Sequence, residues 1–271
     1  MELSWDNVLL AFALTLFAGL STGIGSAIAF LTKKTNKKFL SLSLGFSAGV
    51  MIYVSFVEIF PTAQEALREN YSEKIADVIV AISFFAGMGL IAIIDKLIPS
   101  YENPHEVKSV ECMEAKQPHD KKLMRMGIFS ALAIGIHNFP EGLATFIAGL
   151  SNPEIAYPIA FAIAIHNIPE GIAVSVPIFF ATGSRKKAFK LSFLSGLSEP
   201  LGAIIGFFLI YTFIGINSVI LGVLFALVAG IMVFISLDEL LPTAKEYGAH
   251  HLSIYGLVAG MALMAFSFNA V

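Results

Sequence analysis

Long apolar runs separated by short polar breaks fill this chain, and the runs have the length of helices that cross a bilayer. Eight lie near residues 7–31, 39–60, 75–98, 124–150, 154–181, 188–212, 216–241 and 252–270. Each comes close to or exceeds the roughly 20 apolar residues that traverse about 30 Å of hydrocarbon. Because hydrocarbon offers the backbone no hydrogen bonds, helices are the expected form. The pattern predicts an all-α membrane protein of eight transmembrane helices, one domain over residues 1–271. The one sizeable break, 99–123, carries Pro99, Pro104, Pro118 and mixed charges, and reads as a flexible loop between spans three and four.

Polar residues interrupt the apolar pattern where they are expensive. Span four contains His137-Asn138-Phe139-Pro140-Glu141-Gly142, and span five contains His166-Asn167-Ile168-Pro169-Glu170-Gly171. Span six contains Ser198-Glu199-Pro200 near its middle. Ionisable residues at the centre of a membrane helix cost roughly 2.5–3.5 kcal/mol each and usually mark function. A second phrase also recurs. Span two ends in Glu58-Ile59-Phe60-Pro61-Thr62-Ala63-Gln64-Glu65, and span seven in Glu239-Leu240-Leu241-Pro242-Thr243-Ala244-Lys245-Glu246. With eight spans, the two copies run through the membrane in opposite directions. An inverted repeat is a signature of secondary transporters, whose sites lie near the midplane between the repeats. Spans 1–3 and 6–8 are therefore expected to be related around a central pair 4–5, a 3+2+3 arrangement.

Composition agrees with a membrane protein. Apolar residues make up 56% of the chain, charged residues only 14%, and the mean hydropathy is +0.79; a soluble domain carries about 25% charged residues. The net charge of −3 says little about partners. The single cysteine, Cys112, excludes an internal disulfide framework and a cysteine metal cluster. No basic stretch or small-residue cleavage site accompanies the first apolar run, which is read as a span and not a signal peptide. With both termini outside, every one of the 17 lysines and arginines except Arg68 and Lys74 falls in an inside loop, the asymmetry that sets orientation. In span one, Gly19, Ser21, Thr22, Gly23, Gly25 and Ser26 form a small-residue face suited to close helix packing.

On a helix of 3.6 residues per turn, Glu141 lies roughly 40° around the axis from His137 and roughly 60° from Asn138. The carboxylate can share one cation with the histidine and a second with the asparagine. Glu170 stands in the same relation to His166 and Asn167. Two facing helices of this kind would form paired metal positions, one of His137, His166, Glu141 and Glu170. The other would hold Asn138, Asn167 and the same two glutamates, completed by Glu199. Bridged ions of this kind sit about 3.5–4 Å apart. Pro140 and Pro169 withdraw backbone donors from the carbonyls of Ile136 and Ile165, so both helices should kink. Imidazole, carboxylate and amide together suit zinc, ferrous iron, manganese or cobalt, and the imidazoles argue against calcium or magnesium. Glu58, Asp238 and Glu239 are candidates for acidic vestibules or for helix-end capping. His105 and His119 are read as part of a solvated loop, and His250 and His251 as surface histidines.

The phrases HNFPEGLATF and HNIPEGIAVSVP, with SGLSEPLGA downstream, resemble the ZIP family of divalent metal transporters over essentially the whole chain. The resemblance implies a 3+2+3 helix arrangement and a binuclear centre in spans four and five. It implies metal uptake into the cytoplasm across the cell membrane, and often a homodimer. The family's first metal position falls on His137, Glu141, His166 and Glu170, and its second on Asn138, Glu141, Asn167, Glu170 and Glu199. The partners expected are divalent metal ions and the lipid bilayer, with no nucleic acid. A membrane-embedded metalloenzyme with a fixed His/Glu centre is the alternative, disfavoured because a fixed centre has no need of the inverted repeat. Neither the preferred metal nor the coupling ion follows from the residues.

Overall fold

The first helix of the computed structural model, α1 (Trp5–Leu31), reverses the burial rule of soluble proteins. Its inward stripe is small or hydroxylated: Ala11, Thr15, Ala18, Thr22, Ser26 and Ala29 are all buried. Its outward stripe is large and apolar, with Phe17, Leu20, Ile24, Ile28 and Leu31 exposed. Both stripes recur every three or four residues, the spacing of one helix face. Lipid tails solvate large apolar side chains well, so packing there is driven by how closely backbones can approach.

The structure describes residues 5–31, 37–97, 135, 138–143, 145–147, 149–150, 153–209, 217–246 and 250–269, and every element assigned there is a helix. After α1 comes α2 (Lys37–Val54), a π-helical turn (Ser55–Ile59), α3 (Phe60–Arg68) and α4 (Glu73–Leu97). A helical segment over described residues 138–150 follows, then α5 (Pro153–Thr182), α6 (Arg185–Gly196) and α7 (Ser198–Leu209). The chain continues with α8 (Ser218–Ile235), a second π turn (Ser236–Leu240), α9 (Leu241–Glu246) and α10 (His250–Asn269). Among the described residues six stretches are long and apolar enough to cross a membrane, and His251–Ser267 is a shorter apolar helix. Much of expected span four lies outside the described residues, as does the 99–123 loop with His105, His119 and Cys112. The other expected spans match helices to within a few residues, except that span two runs on to Arg68, span seven runs on to Glu246, and span six is divided between α6 and α7 at Leu197.

That extension revises the reading of Glu58. It sits within a continuous helical run and caps no helix end. The two π turns occupy matching places in the repeated phrase, each ending just before a Phe-Pro or Leu-Pro step. Phe60 donates its N–H to the Ser55 carbonyl and Leu241 donates to Ser236, each a five-residue reach. Pro61 and Pro242 cannot donate, and their rings crowd the carbonyl four residues back. Widening the turn by one residue relieves that conflict, and such bulges gather at functional sites. Pro169 and Pro177 behave differently, because α5 is assigned as helix through both.

Glycines set the helix pairs. A Cβ at Gly25 would strike the Ile168 carbonyl, and one at Gly171 would strike that of Thr22, so α1 and α5 touch backbone to backbone. Gly202 meets Phe139 and Gly142 meets Glu199, which joins α7 to the 138–150 segment in the same way. Gly19 and Gly196 face each other across α1 and α6. Elsewhere Gly45 and Gly49 lie against α10 while Gly256 and Gly260 lie against α2, and Gly87 and Gly230 lock α4 to α8. The helices thus fall into two groups: α1, α5, α6, α7 and the 138–150 segment in one, α2–α4 and α8–α10 in the other. α5 meets α2 and α10 at the seam between them. An apolar cavity of about 310 Å³ lies in that seam, with Phe46, Ile165 and Pro169 in its wall.

Candidate metal centre

Each polar residue of the doubled phrase whose side chain the structure describes, and Glu199 with them, is buried in the first group of helices. Asn138, Glu141, Asn167 and Glu199 are 0% exposed and Glu170 is 6% exposed. No lysine or arginine occurs anywhere between Arg125 and Arg185, so neither motif helix carries one. His137 lies outside the described residues, as does the side chain of His166, although its backbone belongs to α5. Among the described residues, no three His, Cys, Asp or Glu side chains converge to hold a metal ion. With the imidazoles outside that set, the described part of the centre consists of carboxylates and amides.

Helix packing places these groups. The glycine after each motif glutamate lets a neighbouring backbone lie directly on it: Thr22 of α1 on Gly171, Glu199 of α7 on Gly142. Glu199 therefore enters the first turn of α7 beside the motif glutamate, after the helix is interrupted at Leu197. The Thr145 hydroxyl turns back to the Glu141 carbonyl at 2.9 Å.

Asn167 is the most fully determined member. Its Nδ2 donates to Glu199 Oε1 at 2.5 Å and to the Ala18 carbonyl of α1 at 2.8 Å. A carbonyl can only accept, so the amide nitrogen must face α1 and the orientation of the amide is settled. Both N–H bonds are engaged, and Oδ1 is buried with no hydrogen-bond partner among the described residues. A buried carbonyl oxygen left in this state costs about 1–3 kcal/mol, which a cation would repay. Spacing along the helices groups Asn167 with Glu199, and the structure brings these two together. It adds the Ala18 carbonyl, which side-chain chemistry could not have indicated.

A second polar node lies one turn further along α5. Ser26 Oγ of α1 donates to Ser192 Oγ of α6 at 2.6 Å and lies 3.2 Å from the Gly171 carbonyl, to which Ser192 Oγ donates at 3.3 Å. These hydroxyls tie three helices together at the residue after Glu170. The small-residue pattern assigns Ser26 only a packing role; its signal in the sequence is a second buried hydroxyl four residues after Thr22.

Replacing Asn167 with leucine tests the arrangement, because it removes the Asn167 donor from Glu199 Oε1, while the Ala18 carbonyl keeps Ser21 Oγ. The expected loss is about 1–3 kcal/mol of stability, from one buried acceptor that loses its Asn167 donor. Affinity for a divalent metal ion should fall at least about tenfold, as for partners that orient a ligand. A detergent melting curve and a metal-binding isotherm on the same preparation read both. An unchanged melting temperature would mean that the Asn167 bridge does not hold α1 to α7.

Glu58 and Glu239 are half-buried and Asp238 exposed, each within a π turn. Beyond them, Arg68 pairs with Asp77 at 2.9 Å, and Gln64 donates to the same carboxylate at 3.0 Å. His251 stacks on Tyr255 with centroids 6.2 Å apart, a surface contact and not part of the centre.

Comparison with known proteins supplies the remaining observation. A family model described as ZIP zinc transporter matches residues 4–95 and 95–267. The chain is 65% identical over 262 residues to the zinc transporter ZupT of Streptococcus mutans serotype c, covering 97% of each chain. It is 63% identical over 263 residues to the zinc transporter ZupT of Chlorobium chlorochromatii, again 97% of each. It is 62% identical over 275 residues to the zinc transporter ZupT of Clostridium perfringens, covering 97% of this chain and 96% of that one.

Proposed function

The chain belongs to the ZIP family of zinc transporters, and from that premise we propose that it carries zinc across the cell membrane into the cytoplasm by alternating access around the buried centre. It is a transporter and not an enzyme. The observation that carries the reading is the set of buried acceptors on the motif helices. Glu141, Glu170 and Glu199 are buried in the same group of helices as an Asn167 oxygen with no donor among the described residues. No lysine or arginine lies on the two motif helices to neutralise the carboxylates. A divalent cation would offset the three carboxylates, and the ligand chemistry suits zinc, with iron, manganese and cobalt as further cargo. His137, Glu141, His166 and Glu170 form one proposed position, and Asn138, Glu141, Asn167, Glu170 and Glu199 the other.

The 3+2+3 inverted arrangement is supported by a regularity in the packing. Exchange α1 with α6–α7, α2–α3 with α8–α9, α4 with α10, and the 138–150 segment with α5. The pairing of α1 with α5 then becomes that of α7 with the 138–150 segment. The pairing of α2 with α10 becomes that of α8 with α4, and the α1–α6/α7 contact maps onto itself. The paired π turns obey the same exchange. Both termini outside is the orientation that the basic loops favour. The outward Phe, Leu and Ile of α1 and α4 would face lipid or a second copy of the chain. The cavity beside Pro169 leaves the seam between the helix groups loosely filled, which favours relative movement there.

The test is zinc uptake into sealed vesicles containing only this protein, with iron, manganese, cobalt and calcium as competitors. Saturable zinc influx, blocked by transition metals and not by calcium, is the expected result. Tight zinc binding without influx would replace the carrier with a fixed metal centre.

A further inference from the structure

Among the described residues, one buried hydroxyl on the wall of this centre has no partner. Four other helical threonines, Thr15, Thr62, Thr145 and Thr182, each turn back to the carbonyl four residues earlier, at 2.8–2.9 Å. Thr22 does not, although it is 0% exposed. The reason is local. Its natural acceptor is the Ala18 carbonyl, already taken by Ser21 Oγ at 2.6 Å and by Asn167 Nδ2 at 2.8 Å. The same asparagine that holds Glu199 has displaced the Thr22 hydroxyl from its helix.

The place of Thr22 is matched on α7. Residues 19–25 read Gly-Leu-Ser-Thr-Gly-Ile-Gly and residues 196–202 read Gly-Leu-Ser-Glu-Pro-Leu-Gly, which aligns Thr22 with Glu199. The contacts follow the alignment at both pairs of aligned glycines. Gly19 faces Gly196 reciprocally. Gly25 lies on Ile168 as Gly202 lies on Phe139, each the residue between the asparagine and proline of a motif. Thr22 lies on Gly171 as Glu199 lies on Gly142. Ser21 bonds the Ala18 carbonyl as Ser198 bonds the Ser195 carbonyl. Glu199 reaches the motif asparagine of α5, and under the exchange of the two halves the residue corresponding to that asparagine is Asn138, which is equally buried; the Thr22 hydroxyl itself packs on Gly196, one turn before Glu199.

We propose that the Thr22 hydroxyl is an oxygen ligand of the transported ion on the α1 side, the neutral counterpart of Glu199, and that it sets selectivity between oxygen-preferring and imidazole-preferring metals. The proposal rests on the transport reading and adds a ligand to it. A hydroxyl in place of a second carboxylate keeps one less negative charge around the ion, so the ion is held less tightly and leaves more readily. Oxygen donors count for more with manganese than with zinc, so removing this one should weaken manganese first.

The experiment compares wild type with Thr22→Val, which keeps the shape and removes the oxygen, and with Thr22→Ser, which restores it. Zinc and manganese are measured twice, by uptake into proteoliposomes and by equilibrium binding in detergent. Thr22→Val should weaken manganese about tenfold and zinc about threefold in KM and Kd, of the order seen for secondary contacts at metal sites, with an unchanged melting temperature. Thr22→Ser should recover most of the loss. Thr22→Asp should tighten zinc binding about tenfold while slowing turnover. A Thr22→Val protein with wild-type constants for both metals overturns the assignment, and so does equal weakening of the two. Wild-type protein that binds both metals and moves neither would overturn the transport reading alone, because the binding comparison still decides the role of Thr22.

Discussion

Zinc uptake by the Glu141→Ala/Glu170→Ala protein should drop to the level of empty vesicles, a loss of more than about 100-fold, while the protein still inserts and purifies. Disturbing the partners of metal ligands alone costs roughly 10–100-fold, and this change removes the two carboxylates proposed to be common to both positions. Stability should move the other way. Each buried carboxylate costs roughly 2.5–3.5 kcal/mol to place at membrane depth, so the metal-free double variant should melt no lower than metal-free wild type. A third readout separates binding from turnover. Ligand at 100 times its Kd stabilises a protein by about 2.7 kcal/mol, so zinc should raise the wild-type melting temperature and leave that of the variant unmoved. Wild-type uptake in the double variant would remove these residues from the metal path. A variant that still gains stability from zinc would place the tight site elsewhere.

Gly171→Val should damage the helix packing severely. A Cβ at this position lands on the Thr22 carbonyl, a backbone atom in a helix that cannot rotate aside. Forcing α1 away from α5 would also break the Ser26–Gly171 contact and shift the Ala18 carbonyl from Asn167. Overpacking a tight core costs typically 1–3 kcal/mol and sometimes more; the lost hydrogen bonds add about 1 kcal/mol each. A total of about 3–5 kcal/mol from these two terms should lower the melting temperature markedly and abolish uptake. Gly89→Ala is the matched control. Nothing lies within 4 Å of a Cβ there, and alanine favours the helix by about 0.8–1.0 kcal/mol. That variant should be as stable as wild type or more so. If the two substitutions behave alike, close backbone approach is not what holds the first group of helices together.

Among the described residues the apolar runs coincide with six stretches long enough to cross a membrane and one shorter apolar helix, because length and hydropathy are local properties that each segment carries by itself. The motif residues were legible for a related reason. A carboxylate inside an apolar run conflicts with its surroundings, and the conflict shows in the sequence without knowledge of what lies opposite. Glu58 reads in the sequence as standing near a helix end because the apolar run gives out near residue 60, whereas the helix continues through a widened turn at Pro61 to Arg68. Whether a helix breaks, kinks or bulges at proline depends on what packs around it, as the unbroken assignment of α5 through Pro169 illustrates.

What the sequence determined by itself is the class of the molecule, the ionisable residues that interrupt its apolar runs, and the family to which the chain belongs. These follow from composition, period and repeated phrases, all readable one segment at a time. What only the tertiary structure decided is which groups share a partner. The Ala18 carbonyl accepts from Asn167, the amide of Asn167 thereby presents its oxygen, and Thr22 loses its own acceptor. The seven-residue repeat around Thr22 and Glu199 is present in the letters. It acquires a meaning only when the glycines bring both helices onto the motif pair. Backbone carbonyls carry no signature in a sequence, and competition for one of them is a property of three helices together.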